Sequence, residues 1–156
     1  MKRILILMAT AAVAAAAASP SLAQTTVSSA KLQLRKTSIG TILVDAHGFT
    51  LYAFTKDGRA KNSCATISGC RAIWPFVTTG GKPVAGPGVK SSLVGTIALN
   101  GKTRQVTYAG HPLYTYSGDS VPGETDYVNA SQFGGHWPAL NGGHWPALNA
   151  AGQQVK

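Results

Sequence analysis

Residues 48–57 read Gly-Phe-Thr-Leu-Tyr-Ala-Phe-Thr-Lys-Asp, and residues 110–119 read Gly-His-Pro-Leu-Tyr-Thr-Tyr-Ser-Gly-Asp. Both stretches, here called the motif segments, fit the pattern G-x-x-L-Y-x-[FY]-x-x-D and begin 62 positions apart. Shared residues at a fixed spacing indicate an internal repeat, which is the first feature to establish when a fold is read from sequence. The chain is therefore predicted to contain two related halves.

The first motif segment has the composition of a β-strand, because aromatic and β-branched residues are favoured in strands. Successive side chains of a strand point to opposite faces. Leu51 and Ala53 would then lie on one face, and Tyr52 and Phe54 on the other. Bulky apolar groups on both faces predict a strand that is covered on both sides, and the following Asp57-Gly58 predicts a turn.

Short strand patterns and turn signals flank both motif segments. Asn100-Gly101 is a strong hairpin signal, residues 45–48 predict a four-residue turn before a strand over 49–55, and residues 71–74 predict one helical turn that Pro75 ends. Further strands are predicted at residues 32–34, 41–45, 93–99, 103–108 and 113–116. The predicted fold is all-β, a small antiparallel domain, sandwich or barrel-like, built from two related halves.

The chain is predicted to divide into three parts. Residues 1–23 form a signal peptide, residues 24–37 a lead-in with the first strand, and residues 38–156 one β-rich domain. This domain holds two repeats, at about residues 38–84 and 93–155, and the Gly- and Pro-rich stretch 79–88 reads as their connection.

The N-terminus has the three parts of a secretory signal. Lys2 and Arg3 are followed by an apolar run from Ile4 to Ala18, and small residues precede a cleavage site after Ala23. The run is shorter than the roughly 20 apolar residues that span a bilayer, so no transmembrane segment is predicted. Gln24, not a cysteine, follows the cut, so no lipid anchor is predicted and we expect a periplasmic or secreted protein.

Basic residues dominate the charge of the exported chain. Removal of residues 1–23 leaves twelve Lys and Arg against five Asp and Glu, a net charge of +7. Apart from Arg35-Lys36 the basic residues are scattered, so no specific nucleic-acid partner is predicted. A charge of this sign favours anionic surfaces such as envelope polymers and lipid head groups, although a solvated basic surface has the same composition.

Two cysteines, Cys64 and Cys70, are present. In an exported protein a single pair of this kind is expected to form a disulfide. Closing so short a loop stabilises the fold by roughly 2 kcal/mol. The alternative is a redox pair, although the spacing is not Cys-x-x-Cys.

Residues 134–141 and 142–149 both read Gly-Gly-His-Trp-Pro-Ala-Leu-Asn. Trp74 matches Trp137 at an offset of 63 positions, whereas Gly81 and Val84 match Gly152 and Val155 at an offset of 71 positions. The two offsets differ by eight positions, which is the length of the octet. We infer a tandem duplication of a segment that the fold needs once, so one octet Trp should occupy the place equivalent to that of Trp74.

The repeated aromatic and acidic residues are the candidate ligand-binding residues. The aromatic rings suit stacking on a flat ligand, but they equally suit core packing between the halves. The two aspartates are either an acid–base pair or caps of turns. The candidates are Tyr52, Phe54, Asp57, Tyr114, Tyr116 and Asp119.

No catalytic residue, metal site or cofactor is predicted. The four histidines, at positions 47, 111, 136 and 144, do not form a metal-binding motif. The chain also lacks a G-x-S-x-G elbow and a phosphate-binding glycine loop. The sequence therefore favours a protein that is not an enzyme.

Taken together, the two L-Y-x-[FY]-x-x-D segments, Cys70 with the preceding Gly69, and Trp74-Pro75 resemble a known family. It is the family of secreted repeats of unknown function, also described as predicted lipoproteins with a conserved Tyr-x-aromatic-x-x-Asp motif. The resemblance runs from about Ile39 to Val155 and implies a repeat architecture and export. It implies no activity, substrate or catalytic residues, and this chain lacks the anchoring cysteine of the lipoprotein members.

The sequence leads to two hypotheses of function. The first is an exported, non-catalytic β-repeat domain that binds anionic cell-envelope components or a small aromatic-stacking ligand. The second is a periplasmic electron-transfer accessory or enzyme that binds a cofactor through the aromatic strands.

Overall fold

A computed structural model describes residues 28–137, 139, 147–148 and 154–155. The predicted signal peptide and Trp145 lie outside the described residues. One helical turn, α1 (Cys70–Ile73), and two 3-10 turns at Cys64–Thr66 and Ser91–Leu93 accompany the strands. The strands are β1 (Lys31–Thr37), β2 (Gly40–Val44), β3 (Thr78–Thr79), β4 (Val84–Ala85), β5 (Val94–Asn100), β6 (Thr103–Tyr108), β7 (His111–Pro112), β8 (Ala130–Gln132), β9 (Gly135–Trp137), β10 (Ala147–Leu148) and β11 (Gln154–Val155).

The strands form several small sheets, which confirms the predicted all-β class. One sheet has the order β2-β1-β4, and another has the order β3-β6-β5 with β7 paired to β6. Two further pairs are β8-β9 and β10-β11. Every pairing between these strands is antiparallel except that of β1 with β4. Within the described part of the chain the sheets do not close into a barrel.

Two equivalent hairpins begin the two halves, and the β5–β6 hairpin has a bulge between Ala98 and Asn100 that the β1–β2 hairpin lacks. In the β1–β2 hairpin Thr37 pairs with Gly40, and in the β5–β6 hairpin the equivalent residues Asn100 and Thr103 pair. The predicted Asn100-Gly101 turn is confirmed, and Gly101 has a φ of +49°. The strand β1 is therefore the structural counterpart of β5, although the sequence analysis placed residues 24–37 outside the repeats.

The first motif segment does not form the regular strand that the sequence predicted for residues 49–55. Its turn does form, because the carboxylate of Asp45 accepts the backbone N–H groups of His47 (2.8 Å) and Phe49 (2.9 Å). Beyond this turn the segment makes only single bridges, of Thr50 with Val44 and of Tyr52 with partners in the other half. It crosses from one half to the other, so no single neighbouring strand pairs along its length.

The two motif segments meet at their tyrosines. The N–H of Tyr52 donates to the carbonyl of Tyr114 (2.8 Å), and the N–H of Tyr114 donates to the carbonyl of Tyr52 (2.9 Å). Phe76, two residues after Trp74, forms a bridge with Tyr114. Ala139, two residues after Trp137, forms a bridge with Tyr52. The end of each repeat thus pairs with the motif segment of the other, and the halves interlock about the tyrosine pair.

Two apolar clusters lie on opposite sides of the motif segments. Leu51 and Ala53 pack with residues of β1, β2 and β6. Tyr52 and Phe54 pack with Trp74 and with other aromatic residues. The prediction that this segment is covered on both faces is confirmed, and full burial of each large side chain stabilises the fold by roughly 1.5–3 kcal/mol.

Candidate functional site

The repeated tyrosines and aspartates form two hydrogen-bonded pairs that cross between the halves. The hydroxyl of Tyr52 donates to the carboxylate of Asp119, at 3.1 and 3.3 Å from its two oxygens. The hydroxyl of Tyr114 donates to Oδ2 of Asp57 at 2.5 Å. Each pair joins the Tyr of one repeat to the Asp of the other, which explains why the motif contains both residues.

A turn after the first motif segment places Asp57. The N–H of Asp57 donates to the carbonyl of Phe54 (2.9 Å), and the N–H of Ser63 donates to Oδ1 of Asp57 (2.7 Å). Both carboxylate oxygens therefore have a donor, as a buried carboxylate requires. Asp57 thus has the predicted turn-capping role and also binds the opposite half.

Burial controls the ionisation of these groups. Burial raises the pKa of the Asp57 carboxyl to about 6, and the hydrogen bonds from Tyr114 and Ser63 oppose that rise. Burial also raises the pKa of Asp119 to about 6, and the neighbouring charges of Glu124 and Asp126 add to it. The pKa of the Tyr114 hydroxyl is raised by burial and by its bond to Asp57, so Tyr114 stays a hydrogen-bond donor.

Five aromatic rings, here called the aromatic column, contact one another in series from the interior to the surface. The column begins at Phe54, which stacks on Trp137 with 4.1 Å between ring centroids, and Trp137 stacks on Trp74 at 4.0 Å with planes 1° apart. Trp74 then contacts Tyr116 at 4.7 Å, and Tyr116 contacts Tyr127 at 4.0 Å. Tyr127 is 36% exposed, whereas Phe54 and both tryptophans are buried.

The tyrosine pair packs edge-on against the column. Tyr52 meets Trp74 at 5.2 Å, and Tyr114 meets Trp137 at 5.0 Å, both in T-shaped geometry. Each such aromatic contact stabilises the fold by about 0.5–1.5 kcal/mol in addition to the effect of burying the apolar surface of the rings. The column and the tyrosine pair together form the apolar contact between the two halves.

The two tryptophans differ in their hydrogen bonds. The Nε1–H of Trp74 donates to Oε1 of Gln132 at 2.8 Å. The buried Nε1–H of Trp137 has no partner among the residues that the structure describes. The position equivalent to Gln132 in the first half is Gly69, which has no side-chain acceptor.

The structure brings the six candidate residues together, most of them in the interior. Tyr52, Phe54 and Tyr114 are at most 1% exposed, and other protein rings, not a flat ligand, contact their faces or edges. Tyr116 keeps partial exposure. The two aspartates bind different tyrosines, so each carboxylate has a structural role of its own.

Sequence reasoning does not identify three members of the column as site residues. Trp74 and Trp137 are equivalent positions of the repeat, and that repetition is the signal that could have placed them at the contact between the halves. Tyr127 has no counterpart in the first repeat and no motif around it. Only the structure shows that it covers Tyr116.

The predicted disulfide between Cys64 and Cys70 is present. Both cysteines are buried and belong to the aromatic cluster of Tyr52, Phe54 and Trp74. Next to the bonded loop lies Ser63, whose N–H binds Asp57. The disulfide therefore holds the loop that completes the environment of a motif aspartate.

An open groove of about 440 Å³ lies over the β5–β6 hairpin, lined in part by Lys82, Thr96 and Arg104. The Nε–H of Arg104 donates to Oγ1 of Thr96 at 2.6 Å, and one Nη group donates to the carbonyl of Thr96 at 3.4 Å, which orients the guanidinium group.

Every described Lys and Arg side chain is exposed: Lys31, Arg35, Lys36, Lys56, Arg59, Lys61, Arg71, Lys82, Lys90, Lys102 and Arg104.

The described part of the chain has neither a metal-binding cluster nor a membrane-spanning helix. No group of three or more His, Cys, Asp or Glu residues there is arranged to hold a metal ion. No helix there has the length and apolar character needed to cross a bilayer.

Comparison with known proteins finds one family. A family model described as a secreted repeat of unknown function matches residues 33–78 and 95–141, more than half of the chain. Each matched stretch covers most of one hairpin, a motif segment and a buried Trp, and each ends four residues after that Trp. No curated protein and no solved structure matches the chain.

Proposed function

Because the chain belongs to the family of secreted repeats of unknown function, we propose that it is an exported, non-catalytic binding module. Its ligands are anionic components of the cell envelope, and the groove with Lys82 and Arg104 is the centre of the binding surface. One observation carries the proposal: Tyr52, Tyr114 and the motif aspartates bind one another between the halves, whereas every described cationic side chain is exposed.

The groove suits an anionic group for two reasons. Arg104 is oriented by Thr96, and the N–H groups that Thr96 does not engage form a planar set of donors. Lys82 adds a flexible point charge at the same groove. The net charge of +7 on the exported chain attracts anionic surfaces over longer distances, an effect that salt weakens.

The proposed location is the periplasm or the exterior of the cell, after cleavage near Ala23. The family is described as secreted, and residues 1–23 have the pattern of a signal peptide. Intact-mass measurement of protein from the native host should give a chain that starts at Gln24 and has no lipid. Recovery of an uncleaved or acylated chain would overturn this location.

Vesicle binding tests the proposal. The exported chain should bind vesicles containing phosphatidylglycerol, bind zwitterionic vesicles much less, and lose binding as salt increases. The double variant Lys82→Glu/Arg104→Glu should bind at least about tenfold more weakly, since each basic residue near an anionic surface contributes about 1 kcal/mol.

The matched control changes the same charge elsewhere. Lys36→Glu/Lys61→Glu alters two exposed side chains that do not line the groove. It should lose clearly less affinity than the groove variant. Equal losses of affinity in the two double variants would mean that the net charge, not the groove, determines binding. Equal binding of anionic and zwitterionic vesicles by the unaltered chain would refute the proposal.

A second candidate function, electron transfer, is favoured by the aromatic column. Trp and Tyr side chains can lose one electron. Ring contacts of 4.0–4.7 Å between centroids, stacked for Trp137 with Trp74 and tilted beyond, would let the electron deficiency pass from Trp137 through Trp74 and Tyr116 to Tyr127. The rings of the column contact one another directly. Electron transfer through the column therefore needs no cofactor bound between the motif segments. A one-electron oxidant that accepts one electron from Trp137 would be reduced, and Tyr127 would release its phenolic proton to water and remain as a neutral tyrosyl radical.

Transient absorption after photo-oxidation with a ruthenium tris-bipyridine complex tests this candidate. Tyr127→Phe should reduce the tyrosyl radical signal and lengthen the lifetime of the tryptophan radical. Tyr108→Phe is the control, because Tyr108 belongs to the apolar cluster on the other side of the motif segment. The same radical yield and lifetime in both variants would exclude the column as a path.

A further inference from the structure

Tyr114 contacts the aromatic column with its ring and a buried carboxylate with its hydroxyl. The ring meets Trp137 edge-on, with 5.0 Å between centroids. The hydroxyl donates to Oδ2 of Asp57 at 2.5 Å. A bond of this length between a hydroxyl and a carboxylate belongs to the short, charge-assisted class. Tyr114 therefore lies between a chain of oxidisable rings and a proton acceptor.

The protein encloses this pair. Tyr114 is fully buried and Asp57 is 6% exposed, so solvent has little access to either group. The N–H of Ser63 donates to Oδ1 of Asp57 at 2.7 Å, which keeps Oδ2 directed at the hydroxyl. The side chain of Gln105 also bonds the Tyr114 hydroxyl. A proton that leaves this hydroxyl has Oδ2 of Asp57 as its acceptor in the described part of the chain.

This acceptor matters because a tyrosine that loses an electron becomes a strong acid. Its oxidation near neutral pH therefore requires that the proton leave together with the electron. A base within hydrogen-bond reach of the hydroxyl speeds such a proton transfer. Tyr127, at the surface, has to release its proton to water, whereas Tyr114 has a carboxylate at bonding distance.

We propose that Tyr114 and Asp57 form a proton-coupled redox site, in which Tyr114 supplies an electron to the column and Asp57 takes up the proton. A one-electron oxidant removes an electron from Trp137 and is reduced. The oxidised Trp137 then takes an electron from Tyr114, while the hydroxyl proton passes to Oδ2 of Asp57. The products are the reduced oxidant, neutral Trp137, a neutral Tyr114 radical and protonated Asp57. This site rests on the second candidate function, because it needs the column as its electron path.

The equivalent pair in the other half has a matched ring contact and a weaker proton contact. Tyr52 meets Trp74 edge-on at 5.2 Å. Its hydroxyl lies 3.1 and 3.3 Å from the two oxygens of Asp119, which is more exposed than Asp57. Proton transfer slows steeply as the donor and the acceptor move apart. The redox site is therefore assigned to the Tyr114 pair, and the Tyr52 pair is its internal control.

Transient absorption of the full exported chain after photo-oxidation with a ruthenium tris-bipyridine complex tests this site. Tyr116→Phe/Tyr127→Phe removes both tyrosines of the column, so any remaining tyrosyl signal belongs to the buried tyrosines. The measurement is made at a pH of about 8, where Asp57, with a pKa of about 6, is ionised. A tyrosyl signal should persist, and its rate of formation should not depend on buffer concentration, because the proton stays inside the protein.

Two asparagine variants in that double-Phe background are the matched pair. Asp57→Asn keeps an oxygen that binds the hydroxyl but removes the base. Formation of the tyrosyl radical should therefore slow at least about tenfold, less than the roughly 100-fold or more that a positioned base commonly supplies. Asp119→Asn makes the same change in the other pair and should leave the rate unchanged.

The possible failures are distinguishable. Loss of the tyrosyl signal beside a normal tryptophan radical would overturn the redox site and leave the electron path of the column intact. Equal slowing by the two Asn variants, or a rate that rises with buffer concentration, would show that Tyr114 does not transfer its proton to Asp57. Absence of the tryptophan radical in the unaltered chain would refute the column and the redox site together.

Discussion

Tyr114 and Asp57 illustrate how one pair of side chains specifies contact between the halves. Asp57 is 6% exposed, and one of its oxygens relies on the Tyr114 hydroxyl. We predict that Tyr114→Phe lowers the free energy of unfolding by about 1.5–3 kcal/mol, since a buried carboxylate loses a donor. Chemical denaturation with urea measures this change.

The equivalent variant in the other half is the control. Tyr52→Phe removes the longer bonds to Asp119, which is more exposed than Asp57 and can be hydrated. We expect a smaller loss of stability than for Tyr114→Phe. A loss at Tyr52 that equals or exceeds the loss at Tyr114 would contradict the assigned difference between the two carboxylates.

The same aspartates predict how stability depends on pH. The pKa of Asp57 and that of Asp119 are raised from 3.8 to about 6 by folding, so the folded state holds their protons more tightly than the unfolded state. This contribution is complete below pH 3.8 and is lost as the pH rises through about 6. Partial exposure to solvent reduces the effect, and we expect each group to contribute about 1 kcal/mol.

Urea denaturation between pH 4 and 7 measures this contribution. Asp57→Asn keeps an oxygen for Tyr114 but does not titrate, so the decline in stability across this range should become shallower. If the slope of Asp57→Asn matched that of the unaltered protein, the titration would have to be assigned to other groups.

At the scale of single elements, the turns are predictable where their residues have a specific conformational preference. Asn100-Gly101 marks the second hairpin, because Gly accepts the positive φ that the turn needs. The first hairpin turns at Ser38-Ile39, where the signal is weaker, because only the following Gly40, with a φ of +113°, has such a preference. The motif segments have the composition of strands, but their hydrogen-bond partners lie in the other half, which no local pattern reveals.

The disulfide loop supports a second element-scale prediction. Cys64→Ser/Cys70→Ser should lower the free energy of unfolding by roughly 2 kcal/mol, the value for a short closed loop. The fold should persist, because the aromatic cluster does not depend on the covalent bond. The neighbouring N–H of Ser63 binds Asp57, so amide exchange at Ser63 should accelerate.

Thermal denaturation followed by circular dichroism measures the loss for the double variant. The spectrum at room temperature should match that of the unaltered protein. An unchanged melting temperature, or two reactive thiols in the exported protein, would contradict a stabilising bridge between Cys64 and Cys70.

At the scale of the whole molecule, the repeat predicts two related halves but not the way in which they interlock. Equivalent residues such as Tyr52 and Tyr114 can be found from sequence, and packing between the halves is one of the two roles that their residue type predicts. The exchange of Phe76 and Ala139 between halves is not predictable in this way, because it depends on closure of the complete chain.

The two octet tryptophans give a direct test of which copy the fold uses. Trp137 is fully buried and stacks on Trp74 and Phe54. Trp137→Ala should therefore lower the free energy of unfolding by about 3–5 kcal/mol. Trp145, the same residue of the second copy, lies outside the described residues, and Trp145→Ala should cost less than about 1 kcal/mol. Urea denaturation of both variants checks this, and similar losses would mean that both copies pack in the core.

The duplicated octet finally predicts how much of the chain the fold requires. The second family match ends at residue 141, so the first octet completes the second repeat as residues 71–78 complete the first. Deleting residues 142–149 removes β10 and its pairing with β11, but it removes no described contact of Trp137, and Ala139-Leu140 of the first octet then take the sequence positions of Ala147-Leu148. Closure of the shorter loop gains on the order of 1 kcal/mol or less, so stability should be unchanged or slightly higher.

Deleting residues 134–149 removes both copies and is the matched comparison. It eliminates Trp137 from the column and Ala139 from its bridge to Tyr52. Burial of one large aromatic side chain contributes roughly 2–3 kcal/mol, and the loss of its stacking and of β9 adds to this, so we expect severe destabilisation or no folding. Chemical denaturation of the two deletions decides between one structural copy and two. A loss of several kcal/mol from the single deletion would show that the second octet is also part of the folded structure.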